Sequence, residues 1–233
     1  MKRIFIPTSS GSDWQRLLAK PSLHWKVGRS AMTAAACWEA ANGGLPPEVG
    51  SLLNSSGDSS LVGLSLLAAL PEWQVALKGG DRPSSTDVLA LCTNAHGLCV
   101  VAVEAKVLED FGPLVQEKRD STSAGQQERL AYLHQLLQVA KFADGIRYQL
   151  LHRTASALLT AEAFHAGTAV MLVHAFGAPA DRKSDFHAFC ESMSAIEVSP
   201  ELYKTPSFAG PSLFLAWRAG DEKYLTESLK SVL

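Results

Sequence analysis

The chain of 233 residues has no pair of cysteines at CxxC spacing: Cys37, Cys92, Cys99 and Cys190 are scattered, three of them in apolar stretches. That excludes a cysteine-paired zinc ribbon or a dithiol redox motif, and makes buried, reduced thiols in a cytoplasmic protein the expectation. Positive charge is not in surplus either: 21 Lys and Arg stand against 23 Asp and Glu. A net charge of −2 excludes a general attraction to polyanions, so any contact with nucleic acid rests on a local patch. Long hydrophobic runs are missing. The N-terminal MKRIFIPTSSG is too short for a secretory signal, and residues 61–70 are too few to span a hydrocarbon layer of roughly 30 Å. No membrane partner is therefore expected. There is no internal repeat and no low-complexity linker. With 47% apolar and 19% charged residues, the composition describes an ordinary globular domain. Its length suffices for one core without disulfides, and one domain over residues 1–233 is expected, residues 1–28 being an N-terminal extension.

What is present is concentrated in residues 86–106, TDVLALCTNAHGLCVVAVEAK. Residues 86–93 and 98–106 read as two strands of a hairpin, joined by Asn94-Ala95-His96-Gly97. Asp87, Glu104 and Lys106 are the only charged residues in this apolar segment. A turn of two or four residues sets Thr93 against Leu98, and counting back along both strands sets Asp87 against Glu104. Directly opposed residues have Cβ atoms roughly 4.5–5.5 Å apart. Lys106, two residues beyond Glu104, points to the same face. Two carboxylates on an apolar hairpin repel unless a cation holds them, and oxygen donors suit Mg²⁺ or Mn²⁺. The alternative is a half-buried Glu–Lys pair with Asp87 at a strand end.

Around the hairpin the pattern predicts helices and strands in alternation. A short strand over residues 2–7 and a short helix over 13–20 lead to a helix over 30–41 that is apolar on every side. Glu39 is its only charge, so it is either a functional acid or a helix-end group reaching water, Lys26 or Arg29. A helical piece over 48–53, a helix over 61–70 stopped by Pro71 and a strand over 72–77 precede the hairpin. Glu109 lies just past it, as a further acid near the site or a surface charge. A loop over 112–125 follows, then helices over 126–142 and 147–161. The second carries Arg147, Gln149, His152 and Arg153 on a polar arc suited to phosphate contacts, or simply to solvent. An apolar strand over 167–176 is expected at the sheet centre, with His174 a strand-end histidine rather than a ligand. A helix over 185–193, a loop over 200–211, a strand over 212–217 and a C-terminal helix over 221–233 complete the reading. Helices on both faces of a mixed sheet bury this pattern.

A glutamate on an early core helix, then strands carrying Asp87 and Glu104-Ala105-Lys106, then helices and a strand, resembles the PD-(D/E)xK nuclease superfamily. Thr86 stands where that motif has proline. The segments WKVGRSA, WEAANGGLPPEV, TDVLAL and VEAKVLEDFG are also similar to a small uncharacterised bacterial family described as restriction-endonuclease-like. The QxxxY element of the RecB-like branch is not found. The resemblance implies a restriction-endonuclease-like three-layer α/β/α fold with a mixed central sheet. It implies a metal-dependent phosphodiester hydrolase acting on DNA or RNA. Asp87, Glu104, the backbone carbonyl of Ala105 and Glu39 would hold Mg²⁺ or Mn²⁺, Lys106 would orient the attacking water, and Arg147, Gln149 or Arg153 would contact phosphate. Two other readings stand beside it: a non-catalytic descendant of the fold serving as a binding module, and a metal-dependent hydrolase of a small phosphorylated substrate. A homodimer is compatible with the sequence but not required by it.

Overall fold

The computed structural model describes residues 8–207 and 210–233; the strand expected over 2–7 lies outside them. Seven strands form one open, mixed sheet in the order β1-β2-β3-β4-β7-β6-β5. They are β1 (Ser65–Val75), β2 (Ser84–Asn94), β3 (Gly97–Lys106), β4 (Thr168–Ala175), β5 (Ile196–Ser199), β6 (Leu202–Lys204) and β7 (Ser212–Ala219). The first three are antiparallel neighbours, β3, β4 and β7 run parallel, and β5 and β6 close the far edge antiparallel. The helices are α1 (Pro21–His24), α2 (Ser30–Ala40), α3 (Pro47–Ser55), α4 (Val115–Arg119), α5 (Ala124–Leu136), α6 (Tyr148–Ala163) and α7 (Ala180–Ser192).

Alternation along β3 divides the molecule into three layers. Val100 and Ala102 face a core built with α5, α6 and α7, whereas Cys99, Val101 and Val103 face one built with α2 and α3. β4 is buried at every position, as its uninterrupted apolar run requires of a strand covered on both faces. Trp14, Leu18 and Trp25, from the stretch expected as an extension, belong to the α2-side core. No helix of the described residues is long and apolar enough to cross a membrane.

Several elements differ from the sequence reading. The apolar run 61–70 is not a helix: residues 61–63 form a turn, residues 65–70 join 71–75 in β1, and Pro71 lies inside that strand, opposite Val88. A short apolar run without a 3.6-residue period does not distinguish the two states, and proline is tolerated on an edge strand, which β1 is. Residues 112–125 contain α4, and β5 and β6 form a small hairpin that weak alternation concealed. The C-terminal helix is absent. Only a 3-10 turn, Glu222–Leu225, forms there. Beyond it, Ser231 Oγ and Val232 N–H donate to Gln15 Oε1 at 3.0 and 2.8 Å. A lone helix of about 13 residues is marginal in water, and tertiary contacts decide its fate.

The connection from β1 to β2 is clamped to α5. The Arg129 guanidinium donates to the carbonyls of Leu77, Lys78, Gly80 and Arg82. Gly79, at φ 80°, lies so close that a Cβ there would meet Arg129 N at 2.3 Å and Gly125 O at 2.4 Å. Gly79→Ala is expected to cost roughly 2–4 kcal/mol, from left-handed strain plus over-packing. Equilibrium urea unfolding measures it, and a loss below about 0.5 kcal/mol would show that loop and helix separate freely.

Candidate functional site

The hairpin turn has two residues, Ala95 and His96. Asn94 fixes it by accepting from His96 N–H at 2.8 Å and donating to the carbonyls of Ser59 and Val62. From Asn94–Gly97 the ladder runs unbroken to Val88–Val103, and one further step in that register sets Asp87 against Glu104. There the strands part, and Ala105 N–H donates to Asp87 Oδ2 at 2.7 Å. Asp87, Glu104 and Lys106 share the sheet face covered by α6.

Glu104 is buried, 3% exposed, and fully engaged. Lys106 Nζ lies 2.8 Å from Oε1, Gln149 Nε2 donates to the same oxygen at 2.7 Å, and Arg153 Nε donates to Oε2. Lys106 Nζ also donates to Gln149 Oε1 at 3.0 Å and sits 5.0 Å above the Phe111 ring. Burial alone would raise the Glu104 pKa, but Arg153 and Lys106 outweigh it and hold the carboxyl at about 2. Arg153 reaches Ser84 Oγ as well, at 3.2 Å, and Ser84 Oγ is 2.9 Å from His152 Nδ1. The polar arc of α6 is therefore not a solvent-facing basic patch: Gln149 and Arg153 turn inward onto Glu104. Arg147 is committed too, to Asp185 at 2.8 Å and the Gly112 carbonyl at 2.9 Å.

One acid at this site escaped the sequence reading. Glu72 falls opposite Asp87 in the β1–β2 register, between the pairs Pro71–Val88 and Trp73–Thr86. Its φ of 51° is the only positive value of a non-glycine residue inside a strand among the described residues. Such backbone costs of order 1–3 kcal/mol and is concentrated at functional places. Burial and the charge of Asp87 push Glu72 up to about 8, and burial and the charge of Glu104 push Asp87 up to about 7. Among the described residues, Asp87 Oδ1 and the Glu72 carboxylate receive no hydrogen bond. A signal existed: Glu72 is the only charge between residues 59 and 77, but a strand expected to begin only at residue 72, after a helix over 61–70, gave no register against Asp87.

Glu39 is not brought to this group. Its helix, α2, packs on the opposite sheet face, and its carboxylate accepts from Trp14 Nε1 at 2.7 Å and Thr8 Oγ1 at 3.1 Å. Residue 39 also lies at the helix end, exposed and within reach of the Trp14 indole. Glu109 joins α2 to the end of β3, accepting from Ser30 N–H and Oγ–H at 3.2 Å and from Val107 N–H at 3.1 Å. A cavity of about 240 Å³ lies between the Lys78 loop and α5 and α6, lined by Lys78, Tyr132, Gln135 and Glu162. It does not include Asp87, Glu104 or Lys106.

On the α2 side, at the same carboxyl edge of the parallel strands, a second polar cluster forms. Cys37, Glu48 and His174 offer a sulfur, a carboxylate oxygen and a ring nitrogen that all lie within 4.8 Å of one another, an arrangement capable of chelating a metal ion. His174 Nε2 is 3.1 Å from Glu48 Oε1, and Cys37 Sγ–H points to the same oxygen at 3.6 Å. Burial opposes ionisation of Glu48, but the His174 contact outweighs it and holds the carboxyl below its usual range. Burial, then Glu48, push the Cys37 thiol upward. His174, expected as a mere strand-end residue, is thus the hub of a cluster whose members are too far apart in sequence to form a recognisable motif.

The Glu72–Asp87 pair has a stability signature. A carboxyl whose pKa is higher folded than unfolded contributes most at low pH and loses that contribution as pH rises through the folded value. Metal-free protein should therefore lose stability between about pH 4 and pH 8 as Asp87 and then Glu72 ionise. Glu104, depressed to about 2, acts oppositely, its contribution fading only as pH falls below about 4. Thermal melts of D87N beside wild type should show a shallower decline above pH 5; parallel curves would refute the coupling.

Searches of the curated proteins and of the solved structures return no match to this chain. One family model, described as Domain of unknown function (DUF6946), matches residues 7–222. It takes in both clusters and every strand of the sheet, and the chain belongs to the DUF6946 family.

Proposed function

We propose that the chain is a metal-dependent phosphodiester hydrolase of the PD-(D/E)xK kind, with a restriction-endonuclease-like fold, acting on nucleic acid. The element order supports the reading: α2, then antiparallel β1-β2-β3, then α6, then β4 parallel to β3. The observation that carries it is a pair of hydrogen-bond-free oxygen donors, Asp87 Oδ1 and the Glu72 carboxylate, beside a Glu104–Lys106 pair locked in place by α6. Hard oxygen donors fit Mg²⁺ or Mn²⁺. Glu72 takes the place that the sequence reading gave to Glu39. A divalent cation held there lowers the pKa of a bound water and neutralises charge on a phosphoryl oxygen. The residues do the rest: Asp87 and Glu72 bind, Glu104 fixes Lys106, and Lys106 holds positive charge where an attacking water and a phosphate oxygen would meet. Arg147 and Arg153 are engaged within the protein, so their proposed part is to hold the scaffold rather than to grip phosphate.

A second reading, a non-catalytic binding module, is favoured by the saturation of Glu104, whose oxygens are taken by Lys106, Gln149 and Arg153. One experiment separates the two. Wild type, D87N and E72Q are titrated with Mg²⁺ and Mn²⁺ by calorimetry, then incubated with labelled single- and double-stranded DNA and RNA. The nuclease reading expects wild-type binding, at least tenfold weaker binding in both variants, and cleavage lost roughly 10²-fold or more in D87N. Binding without cleavage of any substrate supports the module, and no binding at millimolar metal with phosphorothioate DNA present overturns the hydrolase.

A further inference from the structure

We infer that Cys37, Glu48 and His174 form a second metal site, selective for a zinc-type cation, on the sheet face opposite Asp87. The donor set differs in kind from the oxygens of Asp87 and Glu72. A thiolate sulfur, an imidazole nitrogen and one carboxylate suit a borderline-soft ion such as Zn²⁺ and not Mg²⁺. The three donor atoms already lie within 4.8 Å of one another, so a small inward movement closes them on one ion.

Their positions come from three elements that the core fixes. Cys37 is 2% exposed on α2, His174 is fully buried at the carboxyl end of β4, and Glu48 stands in the first turn of α3. Glu48 alone reaches solvent, its side chain being 18% exposed, and marks the way in. The Phe176 ring, 4.4 Å from that of His174, shields the other side.

A separate observation shows how closely the His174 ring is held. Gly220 follows β7, and a Cβ there would meet His174 Nε2 at 2.8 Å and the Phe176 ring at 2.3 Å. Gly220 is not in the positive-φ region, so its backbone does not call for glycine. The missing side chain instead lets the backbone pack directly on both rings, which helps to fix the position of the nitrogen that would bind the ion. Three protein ligands leave a fourth position for water, as in zinc sites that do chemistry rather than those that only brace a fold.

Binding requires the Cys37 thiol proton to leave for solvent as the sulfur–metal bond forms. Nε2 must present its lone pair to the ion, so the ring proton sits on Nδ1 in the bound form. Nδ1 is buried and has no partner among the described residues, so no acceptor steadies it. Second-sphere partners of that kind are worth roughly 10- to 100-fold in affinity, and this site should be weaker by that factor than a fully braced one.

The test uses Co²⁺, which reports its own geometry and ligands. Full-length protein is stripped with chelator and titrated with Co²⁺, then with Zn²⁺ in competition. The inference expects one equivalent with intense visible bands of tetrahedral Co²⁺ and a near-ultraviolet thiolate charge-transfer band, both displaced by Zn²⁺. Cys37→Ser should abolish the charge-transfer band, and D87N, on the other face, should keep it. Glu48→Gln, near-isosteric, should weaken binding at least tenfold and serves if C37S fails to fold. Wild-type spectra that remain those of aqueous octahedral Co²⁺, or bands unchanged in whichever of C37S and E48Q folds, would overturn it. Because the thiolate band is independent of any hydrolysis, its absence says nothing against the site at Asp87.

Discussion

Glu104 is the residue on which the rest of the structure depends. It is a buried charge held by one lysine, one arginine and one amide. Removing one partner of such a pair typically costs about 3–5 kcal/mol, because an uncompensated charge remains. The arrangement consequently fixes geometry: it holds α6 in register against β3, keeps Lys106 over the Phe111 ring, and leaves Asp87 bonded through one oxygen to Ala105 N–H. Glu104 needs no further cation. Asp87 and Glu72, next to it, have no ion-pair partner among the described residues, and their pKa values are raised instead. The electrostatic asymmetry of the site follows from which carboxylate the helix reaches.

Both polar clusters sit near the carboxyl ends of β3 and β4, where open α/β sheets bind ligands outside the strand ends. Alternation along adjacent strands sends Glu104 and Lys106 toward α6 and His174 toward α2 and α3. One edge therefore presents hard oxygen donors on one face and a sulfur–nitrogen set on the other. With such a division of donor chemistry within a single fold, the two proposed ions would be distinguishable by spectroscopy and by competition.

The sequence was informative where a local rule determined a long-range contact. The turn at Asn94-Ala95-His96-Gly97 and strict alternation were enough to pair β2 with β3 and to foresee the approach of Asp87 to Glu104. The continuous apolar run of β4 likewise announced a central strand. Local pattern was not enough where tertiary packing chose between states of equal local merit. Residues 61–70 carry no period that separates helix from strand, and only the edge position of β1 makes Pro71 acceptable. The C-terminal segment is helix-compatible, yet Gln15, more than 200 residues earlier, ties it down in an irregular form. Glu72, expected at the start of a strand over 72–77, had no register against Asp87 because the preceding residues were expected as helix. Glu39 was misplaced because a charge on an apolar helix does not tell which sheet face the helix will cover. Cys37, Glu48 and His174 meet only through the packing of α2 and α3 on β4, which no spacing rule reports.

The central claim is that Asp87 and Glu72 together hold a divalent cation beside the Glu104–Lys106 pair. Crystals grown with Mn²⁺, with diffraction recorded at the manganese edge, test it most directly. The account predicts an anomalous peak within bonding distance of oxygens from both Asp87 and Glu72, and no such peak in D87N crystals grown identically. Manganese found only elsewhere, or an Asp87–Glu72 pair that stays metal-free at saturating Mn²⁺, would contradict it.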